Sequence, residues 1–528
     1  MPLSLTHKPE SQPLQARVAP RLRVGKLCIV AHGATPAELF SRAEDALKDS
    51  VFLELRLDLL AKPAAALPAL KTFLTRHREV TAIVSCHRKA VDGHFAGSLS
   101  SELELLQEAA EAGAHIVDLE VESAEKATKP QLAKFRAALR AAGTALLISS
   151  HDQSRTRRAE GLNETAQRIA AFEPEYVKVL SAARTLADNL SVLRMVEDQS
   201  INTHVVGVAT GEEGLISRVL SPREGAAFTF TSAAEIDNGP GHVSARTLLD
   251  LYRLEQVDPA TRIFAVAGNP IAHSLSPLLH VTAFRRENIN AVMLPLRVRT
   301  IEDFLTVVRE LPVDGAAVTM PFKQDVLPYL ANMDPLTARI GACNTLRTGA
   351  DGKLYGFNTD VAGVVRALER RLKLKDARIL VLGAGGAARA TVFGLVEDGA
   401  EVFIVNRTHE KAVALARKAK AHALKESSLA KSRFDVIVNT TPCGQVGIKT
   451  PLPIKENELN APVVFDIVYN PLETPLIKLA KARGLTVIGG IEMFVQQGAR
   501  QFEIWTGKPA PEGEMLRAVE LELRRRGH

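Results

Sequence analysis

The chain has 528 residues, of which 46% are apolar and 24% are charged, and its formal net charge is +6. This composition is typical of globular protein, and the length predicts two to four domains. The basic residues are spread along the chain and no apolar run approaches the roughly 20 residues that span a bilayer, so neither nucleic acid nor a membrane is predicted as a partner.

The N-terminal residues 1–23 are polar, contain proline and lack the apolar segment of a secretory signal, so we expect a flexible tail. The four cysteines lie far apart and form no CxxC or Cys/His cluster. This spacing favours a reducing compartment without disulfides or structural zinc. A cytoplasmic enzyme is therefore expected, although the tail leaves a plastid location open.

Short apolar runs then alternate with helical stretches rich in Ala, Leu and Glu. Eight such runs occur, at residues 27–31, 51–60, 80–86, 115–121, 144–150, 176–182, 203–209 and 226–232. Eight strand–helix repeats in about 200 residues predict a (β/α)₈ barrel, here placed at residues 24–256.

Polar side chains cluster toward the ends of several of these runs, where barrel enzymes carry their active sites. These side chains belong to Glu54, Arg56, Asp118, Glu120, His151 and Lys178. The spacing of two residues within Glu54/Arg56 and within Asp118/Glu120 puts each pair on one face of its strand.

Lys178 stands inside the apolar run YVKVL, where burial of an ammonium is costly unless it is paired or deprotonated. On a barrel strand this favours Schiff-base chemistry, because burial lowers the pKa of the amine and makes it a nucleophile. A paired lysine, or one that reaches outward to solvent, is the alternative. His151 ends the preceding strand and would lie beside Lys178, either as a proton shuttle or as a supporting residue.

Six motifs of this half together resemble type I 3-dehydroquinate dehydratase over roughly residues 24–255. They are ELR (54–56), HRKAVDG (87–93), DLEVE (118–122), SSHD (149–152), YVKV (176–179) and EEGLISR (212–218). The resemblance implies that Lys178 forms an imine and that His151 is the general acid/base of a water elimination that needs no metal. It also implies that Arg218 binds the substrate carboxylate. Glu54, Arg56 and Arg88 would bind its hydroxyls, whereas surface salt bridges are the ordinary alternative for these three.

The sequence departs from this family at positions that contact the substrate. Asp92 stands where members often have the longer Glu, and Ala31 ends the first strand where many have Ser. In the loop DNGPGHVS, Asn238 and His242 stand where many members have Ser and Gln. That loop covers the substrate in the family, so closure and affinity are expected to differ.

A second α/β pattern begins after a helix-like stretch at 243–256 and a linker at 257–262. Its strands are predicted at 263–268, 291–296 and 315–320, and a helix near 361–372. A third pattern, with a glycine-rich first turn, predicts a doubly wound sheet. Its strands are expected within 378–390, 401–408, 435–441, 463–469 and 485–490. We therefore expect a substrate domain at 262–360 and a Rossmann domain at 361–528, whose C-terminal helices pack back toward the substrate domain.

The third pattern opens with GAGGAARA, a G-x-G-x-x-A motif between an apolar strand and a helix. The predicted phosphate-binding turn comprises Gly383, Ala384, Gly385, Gly386 and Ala387. A tight turn without a ligand is the alternative. After the next strand come Asn406, Arg407, Thr408 and Lys411. An NAD-binding enzyme would carry an acidic residue here that binds the ribose 2′-hydroxyl. This chain instead has two cations, Arg407 and Lys411, which can bind a 2′-phosphate. NADP(H) is therefore predicted rather than NAD.

This half resembles shikimate dehydrogenase over residues 262–528, through motifs that follow one another in the order of that family. They are GNPIAHSLSPLLH, VTMPFKQDV, GACNTL, GFNTDVAG, NRTHEK and GGIEMFVQQGA. The resemblance makes Lys323 and Asp360 the catalytic pair and puts Gly490 and Met493 beside the nicotinamide. The substrate would contact Ser274, Ser276, Thr319, Asn344, Asp360, Tyr469 and Gln497.

Each key residue of this half also has an ordinary structural explanation. Asp360 would suit the first turn of a helix as an exposed carboxylate. Ser276 before Pro277 would suit an N-cap. Lys323 would suit a solvated surface position.

The two resemblances describe consecutive reactions, with 3-dehydroquinate, 3-dehydroshikimate and shikimate as the ligands. They imply a bifunctional enzyme that dehydrates the first compound and reduces the second with NADPH. One alternative is a quinate/shikimate dehydrogenase fusion in quinate catabolism, which the two serines and the NRT motif disfavour. Another is a non-catalytic quinate-pathway sensor, which could have lost the four catalytic candidates that this chain retains. The sequence leaves the oligomeric state open.

Overall fold

The computed structural model describes residues 22, 24–88, 93–233 and 243–526, which form two compact units. One comprises the described residues up to Thr261 together with Glu302–Pro312. The other comprises Arg262–Ile301 and the described residues from Val313 onward. Within the described ranges, every helix is too short or too polar to cross a bilayer.

The first unit contains all eight predicted strands. They are β1 (Leu27–Ala31), β2 (Phe52–Arg56), β3 (Thr81–Ser85), β4 (Ile116–Glu120), β5 (Ala145–Asp152), β6 (Tyr176–Ala182), β7 (His204–Thr210) and β8 (Thr229–Ser232). They form one sheet in the order β7-β6-β5-β4-β3-β2-β1-β8, with parallel pairing throughout. The backbone N–H of Ala227, just before β8, donates to Val205 O in β7 at 2.9 Å. The predicted barrel is therefore confirmed as a nearly closed parallel barrel.

Helices connect the barrel strands. They are α1 (Pro36–Ala46), α2 (Leu67–Arg76), α3 (Leu99–Glu111), α4 (Val121–Lys126), α5 (Lys129–Ala142), α6 (Ala159–Ala170), α7 (Asp188–Glu197) and α8 (Leu215–Glu224). Local signals mark their ends. A capping box of Thr128 and Gln131 begins α5, and Gly143 ends it with a φ of 72°.

The predicted helix at 243–256 is shorter in the structure. It ends with a π-helical turn at Thr247–Leu251, and Arg253 then adopts a left-handed backbone with a φ of 50°. That conformation interrupts the helical hydrogen-bond ladder, and a short 3₁₀ turn at Leu254–Gln256 follows.

Side chains that point into the barrel change from apolar to polar along the strands. On β2, Phe52 precedes Glu54, and on β6, Tyr176 precedes Lys178. Alternate residues share a strand face, so both polar residues lie one layer nearer the carboxyl end than the aromatic rings. The ring of Phe228 packs against both Phe52 and Tyr176, with centroids 4.8 and 5.7 Å away. A layer of aromatic side chains therefore lies toward the amino ends of the strands, and a polar layer lies next to it toward their carboxyl ends.

The second unit begins with a mixed sheet. Its strands are β9 (Arg262–Gly268), β10 (Ala291–Arg297), β11 (Val313–Val318), β12 (Asn332–Met333), β13 (Thr345–Thr348) and β14 (Leu354–Phe357). Their order is β10-β9-β11-β13-β14-β12, with β13 antiparallel to both its neighbours. The helices in this part of the chain are α9 (Ser276–Arg286), α10 (Ile301–Glu310) and α11 (Pro335–Ile340). All of α10 except Ile301 belongs to the first unit. The sequence analysis found β9 to β11 but missed β12 to β14, which are short and lack a long apolar run.

A second, fully parallel sheet follows. Its strands are β15 (Arg378–Leu382), β16 (Glu401–Val405), β17 (His422–Ala423), β18 (Val436–Asn439), β19 (Val463–Asp466) and β20 (Thr486–Gly489). The order β17-β16-β15-β18-β19-β20 confirms the doubly wound topology. The helices are α12 (Asp360–Glu369), α13 (Gly386–Glu397), α14 (His409–Ala419), α15 (Pro475–Ala482), α16 (Gly490–Thr506) and α17 (Glu512–Arg526).

The last two helices return to the mixed sheet. In α16, Trp505 Nε1 donates to Leu346 O at 2.8 Å. Glu514 in α17 lies 3.6 Å from Arg286 of α9. The position of α16 matters for function, because it carries Gln497 and Gln501 to Asn344 and Thr345 at the start of β13.

Candidate active sites

Lys178 lies at the centre of the polar layer of the barrel, with only 3% of its surface exposed. Its Nζ donates to Glu54 Oε2 and to Asp118 Oδ2, both at 3.0 Å, and lies 4.3 Å above the ring of Phe230. Ser85 Oγ donates to the other oxygen of Glu54 at 2.7 Å. The lysine is therefore buried and paired with two carboxylates.

This pairing corrects one sequence-based expectation. Burial alone would lower the pKa of Lys178, but Asp118 and Glu54 outweigh it, and the net pKa lies above the usual value. Without a ligand, the lysine is thus held as an ammonium. The strand pattern predicted the burial but not the two carboxylates that compensate for it.

His151 lies beside a second histidine that sequence reasoning missed. The rings of His151 and His87 have centroids 4.6 Å apart, and His87 Nε2 lies 3.4 Å from Asp118 Oδ2. Burial, together with the neighbouring His87 and Lys178, holds the pKa of His151 well below its usual value. A neutral imidazole at this position can accept a proton.

Two buried carboxyl groups surround Arg88. Its backbone N–H donates to Glu120 Oε2 at 3.0 Å, and its Nε lies 3.8 Å from Glu102 Oε2. Burial raises the pKa of Glu120 to about 8 and that of Glu102 to about 7. Neighbouring carboxylates add to both shifts, so near neutral pH these two groups exist largely as uncharged carboxylic acids.

The other two predicted arginines have different surroundings. Arg56 forms a two-pronged ion pair with Asp58, with both N–O distances at 2.8 Å. Arg218, in α8, donates to Phe230 O and has no carboxylate partner among the described residues. Burial lowers the pKa of Arg218 to about 10. A buried guanidinium without a counter-ion is suited to bind an anion.

Three predicted substrate residues of this half, Asp92, Asn238 and His242, lie outside the described residues. Ala31 is described and is buried at the end of β1.

In the second unit, Lys323 and Asp360 come into direct contact although 37 positions separate them. Lys323 Nζ donates to Asp360 Oδ2, and Asn344 Nδ2 donates to Asp360 Oδ1 at 2.8 Å. Asp360 begins α12 but is only 5% exposed, so the expectation of an exposed first-turn carboxylate is wrong. The adjacent strand ends and α16 enclose it.

Asn344 links this pair to α16. Its Oδ1 accepts from the backbone N–H of Thr359 at 2.8 Å, and its backbone O accepts from Gln501 Nε2 at 3.2 Å. Gln497 Oε1 lies 3.5 Å from Asn344 Nδ2. Asn344 is therefore held rigidly on both its side chain and its backbone.

The serines lie at the start of α9. Ser276 is the first residue of the helix rather than its N-cap, which is Leu275. Instead, Ser274 Oγ accepts from the backbone N–H of Ser276 at 3.3 Å. Ser276 does not cap the helix because its own backbone is already helical, so the expected N-cap is wrong by one residue.

The remaining predicted ligand contacts lie on loops and on α16. Thr319 follows β11, and its backbone N–H donates to Ala267 O at 2.9 Å. Tyr469 stacks on Phe494, with centroids 4.6 Å apart, and burial raises the pKa of its hydroxyl. Met493 in α16 packs against Gly363, where a Cβ atom would lie 2.9 Å from Met493 Cγ.

The glycine-rich turn joins β15 to α13. Gly383 has a φ of +117°, and a Cβ there would lie 2.6 Å from Thr440 Oγ1, so only glycine fits without strain. Space around Gly385 and Gly386 is open, with no atom within 4 Å of an added Cβ. Ala384 and Ala387 complete the turn. An open backbone at the N-terminus of a helix fits a pyrophosphate.

The four residues predicted to bind a 2′-phosphate follow β16. Asn406 Nδ2 donates to Thr408 O at 2.8 Å, which shapes the start of α14. Arg407, Thr408 and Lys411 are exposed. Packing alone explains why residue 490 is a glycine, because a Cβ there would lie 2.3 Å from Ile467 O.

Sequence reasoning assigned no role to four residues of the barrel site: Ser85, His87, Asp118 and Glu120. Two of them, Asp118 and Glu120, were noticed as strand-end residues, and their DLE spacing was the available signal. His87 follows a strand end within HRKAVDG and could have been found by the same rule.

Family models match both halves of the chain. The model described as type I 3-dehydroquinase matches residues 27–259. The shikimate dehydrogenase substrate-binding domain matches residues 266–346, and the shikimate/quinate 5-dehydrogenase model matches residues 366–467. The shikimate 5′-dehydrogenase C-terminal domain matches residues 490–520.

Similar proteins include one that matches across both halves. It is the chloroplastic bifunctional 3-dehydroquinate dehydratase/shikimate dehydrogenase of Arabidopsis thaliana, 33% identical over 87% of this chain and 78% of its own length. An NADP⁺-dependent shikimate dehydrogenase of Maridesulfovibrio salexigens is 43% identical over 47% of this chain and 92% of its own length. The solved shikimate 5-dehydrogenase of Thermus thermophilus, in complex with NADP(H) and shikimate, is 34% identical. It covers 50% of this chain and 99% of its own, with a TM-score of 0.46.

Proposed function

The chain belongs to the bifunctional 3-dehydroquinate dehydratase/shikimate dehydrogenase family, and we propose which of its residues carry each reaction. The barrel dehydrates 3-dehydroquinate to 3-dehydroshikimate, and the second unit reduces that ketone to shikimate. The observation that carries the first assignment is the position of Lys178 Nζ between Glu54 and Asp118. His151 lies on β5, the strand that pairs with the strand of Lys178.

Lys178 is the nucleophile of the dehydratase reaction. Its ammonium transfers a proton to a neighbouring carboxylate, and the free amine attacks the substrate ketone. Loss of water from the adduct forms an iminium, which withdraws electrons and acidifies the adjacent C–H bond. The two carboxylates stabilise positive charge at this nitrogen before and after the covalent bond forms.

His151 moves the protons of the elimination. As a neutral imidazole it removes the proton from the carbon next to the iminium, and the electron pair then expels the hydroxyl one bond further on. The imidazolium returns its proton to the leaving oxygen, so water departs. Hydrolysis of the remaining imine frees Lys178 and releases 3-dehydroshikimate.

Arg218 binds the substrate carboxylate, since its buried guanidinium has no carboxylate partner of its own among the described residues. Glu54, Arg56 and Arg88 bind the hydroxyl groups. Asp92, Asn238 and His242 would complete the contacts from the segments that the structure does not describe.

In the second unit, Lys323 is the proton donor of the reduction. As hydride reaches the carbonyl carbon, the oxygen gains negative charge and takes a proton from the Lys323 ammonium. Asp360 orients this ammonium, and Asn344 fixes the other oxygen of Asp360. Ser274, Ser276, Thr319, Tyr469 and Gln497 hold the ring substituents.

NADP(H) fits the residues of the Rossmann domain, and it supplies the hydride when bound. The open turn at Gly385 and Gly386 accepts the pyrophosphate at the N-terminus of α13. Arg407 and Lys411 pair with the 2′-phosphate, with Asn406 and Thr408 beside them. Gly490 and Met493, at the start of α16, contact the nicotinamide.

Borohydride trapping tests the dehydratase assignment directly. The full-length protein is incubated with 3-dehydroquinate and sodium borohydride, and its intact and peptide masses are then measured. We expect one reduced ligand per chain, attached to the peptide that contains Lys178. The Lys178→Ala variant is expected to show no added mass.

The dehydrogenase assay on the same sample serves as the folding control. Shikimate and NADP⁺ should yield NADPH in wild type and in Lys178→Ala alike. An adduct on another lysine, or no adduct from an otherwise active sample, would refute the role of Lys178.

A further inference from the structure

We propose that His87, Glu120 and His151 form a binding site for a divalent cation of the Zn²⁺ class, and that its occupation stops the dehydratase reaction. The proposed mechanism uses His151 but assigns no step to the other two residues. The inference concerns inhibition by a metal, and the elimination itself needs none.

The geometry of the three side chains approaches that of a zinc site. Their ligand atoms lie within 4.8 Å of one another, and His151 Nδ1 is 4.0 Å from Glu120 Oε1. An ion can therefore be placed within about 2.8 Å of all three, compared with Zn–N and Zn–O bonds of about 2.0–2.2 Å. Movements of less than about 1 Å by each side chain would complete the coordination. Two imidazoles and one carboxylate leave a fourth position open for water.

Glu120 provides a second observation, which does not depend on the histidines. It is 1% exposed, yet its Oε1 has no hydrogen-bond partner among the described residues. A buried carboxylate oxygen without a partner is costly in a folded protein. A bound cation would satisfy it and would leave the bond from the Arg88 N–H to Oε2 in place.

Existing ion pairs determine which of the acidic groups is available to a cation. Glu54 and Asp118 are already committed to Lys178. This also disfavours the other candidate group, Glu54, His87 and Asp118, because an ion there would have to displace the ammonium.

Zinc at this site would occupy the nitrogen lone pair of His151. The imidazole could then no longer accept the proton from the substrate. Both groups of three such ligands among the described residues lie in the barrel, so the dehydrogenase activity should be unaffected. One chain therefore provides both the inhibited reaction and its internal control.

The test measures zinc binding and the two activities on the full-length protein after removal of metal with a chelator. Equilibrium dialysis against ZnCl₂, with metal analysis, gives the number of ions bound per chain. The variants are His87→Phe, which removes one ligand but keeps a ring, and Glu120→Gln, which keeps the shape but removes the charge. His204→Phe is the matched control, since His204 is exposed and stacks on Tyr176 at the start of its strand.

We expect His87→Phe and Glu120→Gln to bind one zinc ion fewer than wild type and His204→Phe to match wild type. Relative to the metal-free activity of each variant, the zinc concentration for half-inhibition should rise at least about tenfold in the first two. Equal zinc binding in all four proteins would overturn the inference. So would a parallel loss of both activities in wild type.

The dialysis result does not depend on the proposed dehydratase reaction. A metal-free protein without dehydratase activity would refute the proposed function, while the difference in zinc content would still decide the metal site. Inhibition that persists unchanged in His87→Phe would refute the metal site and leave the dehydratase assignment intact.

Discussion

Both reaction sites contain a lysine that is paired with a carboxylate, but the two environments differ. The side chain of Lys178 is 3% exposed and touches two carboxylates inside the barrel, whereas that of Lys323 is 17% exposed and touches only Asp360. A covalent catalyst benefits from enclosure, since its iminium must be stabilised and protected from water. A proton donor must instead exchange its proton with solvent in each cycle. Burial, rather than residue type, separates the two proposed roles.

The largest expected effect would come from removing the covalent catalyst. Lys178→Ala should lower dehydratase turnover by on the order of 10⁴-fold or more, because no other group can form the imine. Lys178→Arg is the matched control, since it keeps the charge but cannot form that bond under these conditions. Initial rates with 3-dehydroquinate provide the measurement. Substantial activity in either variant would contradict the proposed difference between the two lysines.

Removal of the carboxylate in the second site should have a smaller effect. Asp360→Asn should lower the rate of shikimate oxidation by about 10²–10³-fold, because general acid–base catalysis contributes about that much. Dehydratase turnover should remain at the wild-type value. A variant with a raised KM and an unchanged kcat would show that Asp360 only binds the substrate.

The second unit should lose stability in acid. His280 is fully buried beside α16, its Nε2 lies 3.1 Å from Gln501 Oε1, and burial lowers its pKa to about 4. The folded state therefore keeps this histidine neutral while the unfolded chain takes up a proton below about pH 6.5. Neutral His280 makes its full contribution to the free energy of unfolding above pH 6.5. That contribution falls by about 3 kcal/mol as the pH drops toward 4.

Urea unfolding at pH 7 and pH 4.5 can measure this loss. The single tryptophan, Trp505, lies 4.8 Å from the His280 ring and reports on the second unit. His280→Gln should lose less stability between the two pH values than wild type. An equal loss in both proteins would mean that other groups determine the acid sensitivity.

Cofactor choice should respond to the cations that follow β16. Arg407→Ala should raise the KM for NADP⁺ by about 10–100-fold, since a charge-assisted contact contributes about 1.5–3 kcal/mol. The KM for NAD⁺ should change little, because NAD⁺ lacks the 2′-phosphate. A similar rise with both cofactors would contradict the assigned contact.

The smallest expected effect concerns the state of the buried lysine. Glu54→Gln removes one of the two carboxylates that raise the pKa of Lys178, so that pKa should fall. The rate of borohydride trapping rises with pH as the free amine forms. In the variant this rise should occur at a lower pH than in wild type. A rise at the same pH would show that Asp118 alone controls the lysine.

Both folds could be predicted from residue patterns. Eight apolar runs at regular spacing, and a glycine motif between a strand and a helix, predicted the barrel and the doubly wound sheet. Short-range signals were less reliable. The strands β12 to β14 were missed, and Ser276 proved to be the first residue of α9 rather than its cap. In these segments tertiary pairing, rather than local preference, determines the conformation.

The sequence by itself therefore determined the fold class, the family and the identity of most candidate residues, because these depend on periodicity and on motifs. Only the tertiary structure decided the electrostatics of the sites. Asp118 and Glu54 reach Lys178 from other strands, across 60 and 124 positions, and reverse the pKa shift that burial alone predicts. His87, after β3, likewise meets His151 of β5 only because the ends of these two strands, which flank β4, come together in the barrel. Charge interactions depend on distance in space, which the order of residues along the chain does not provide.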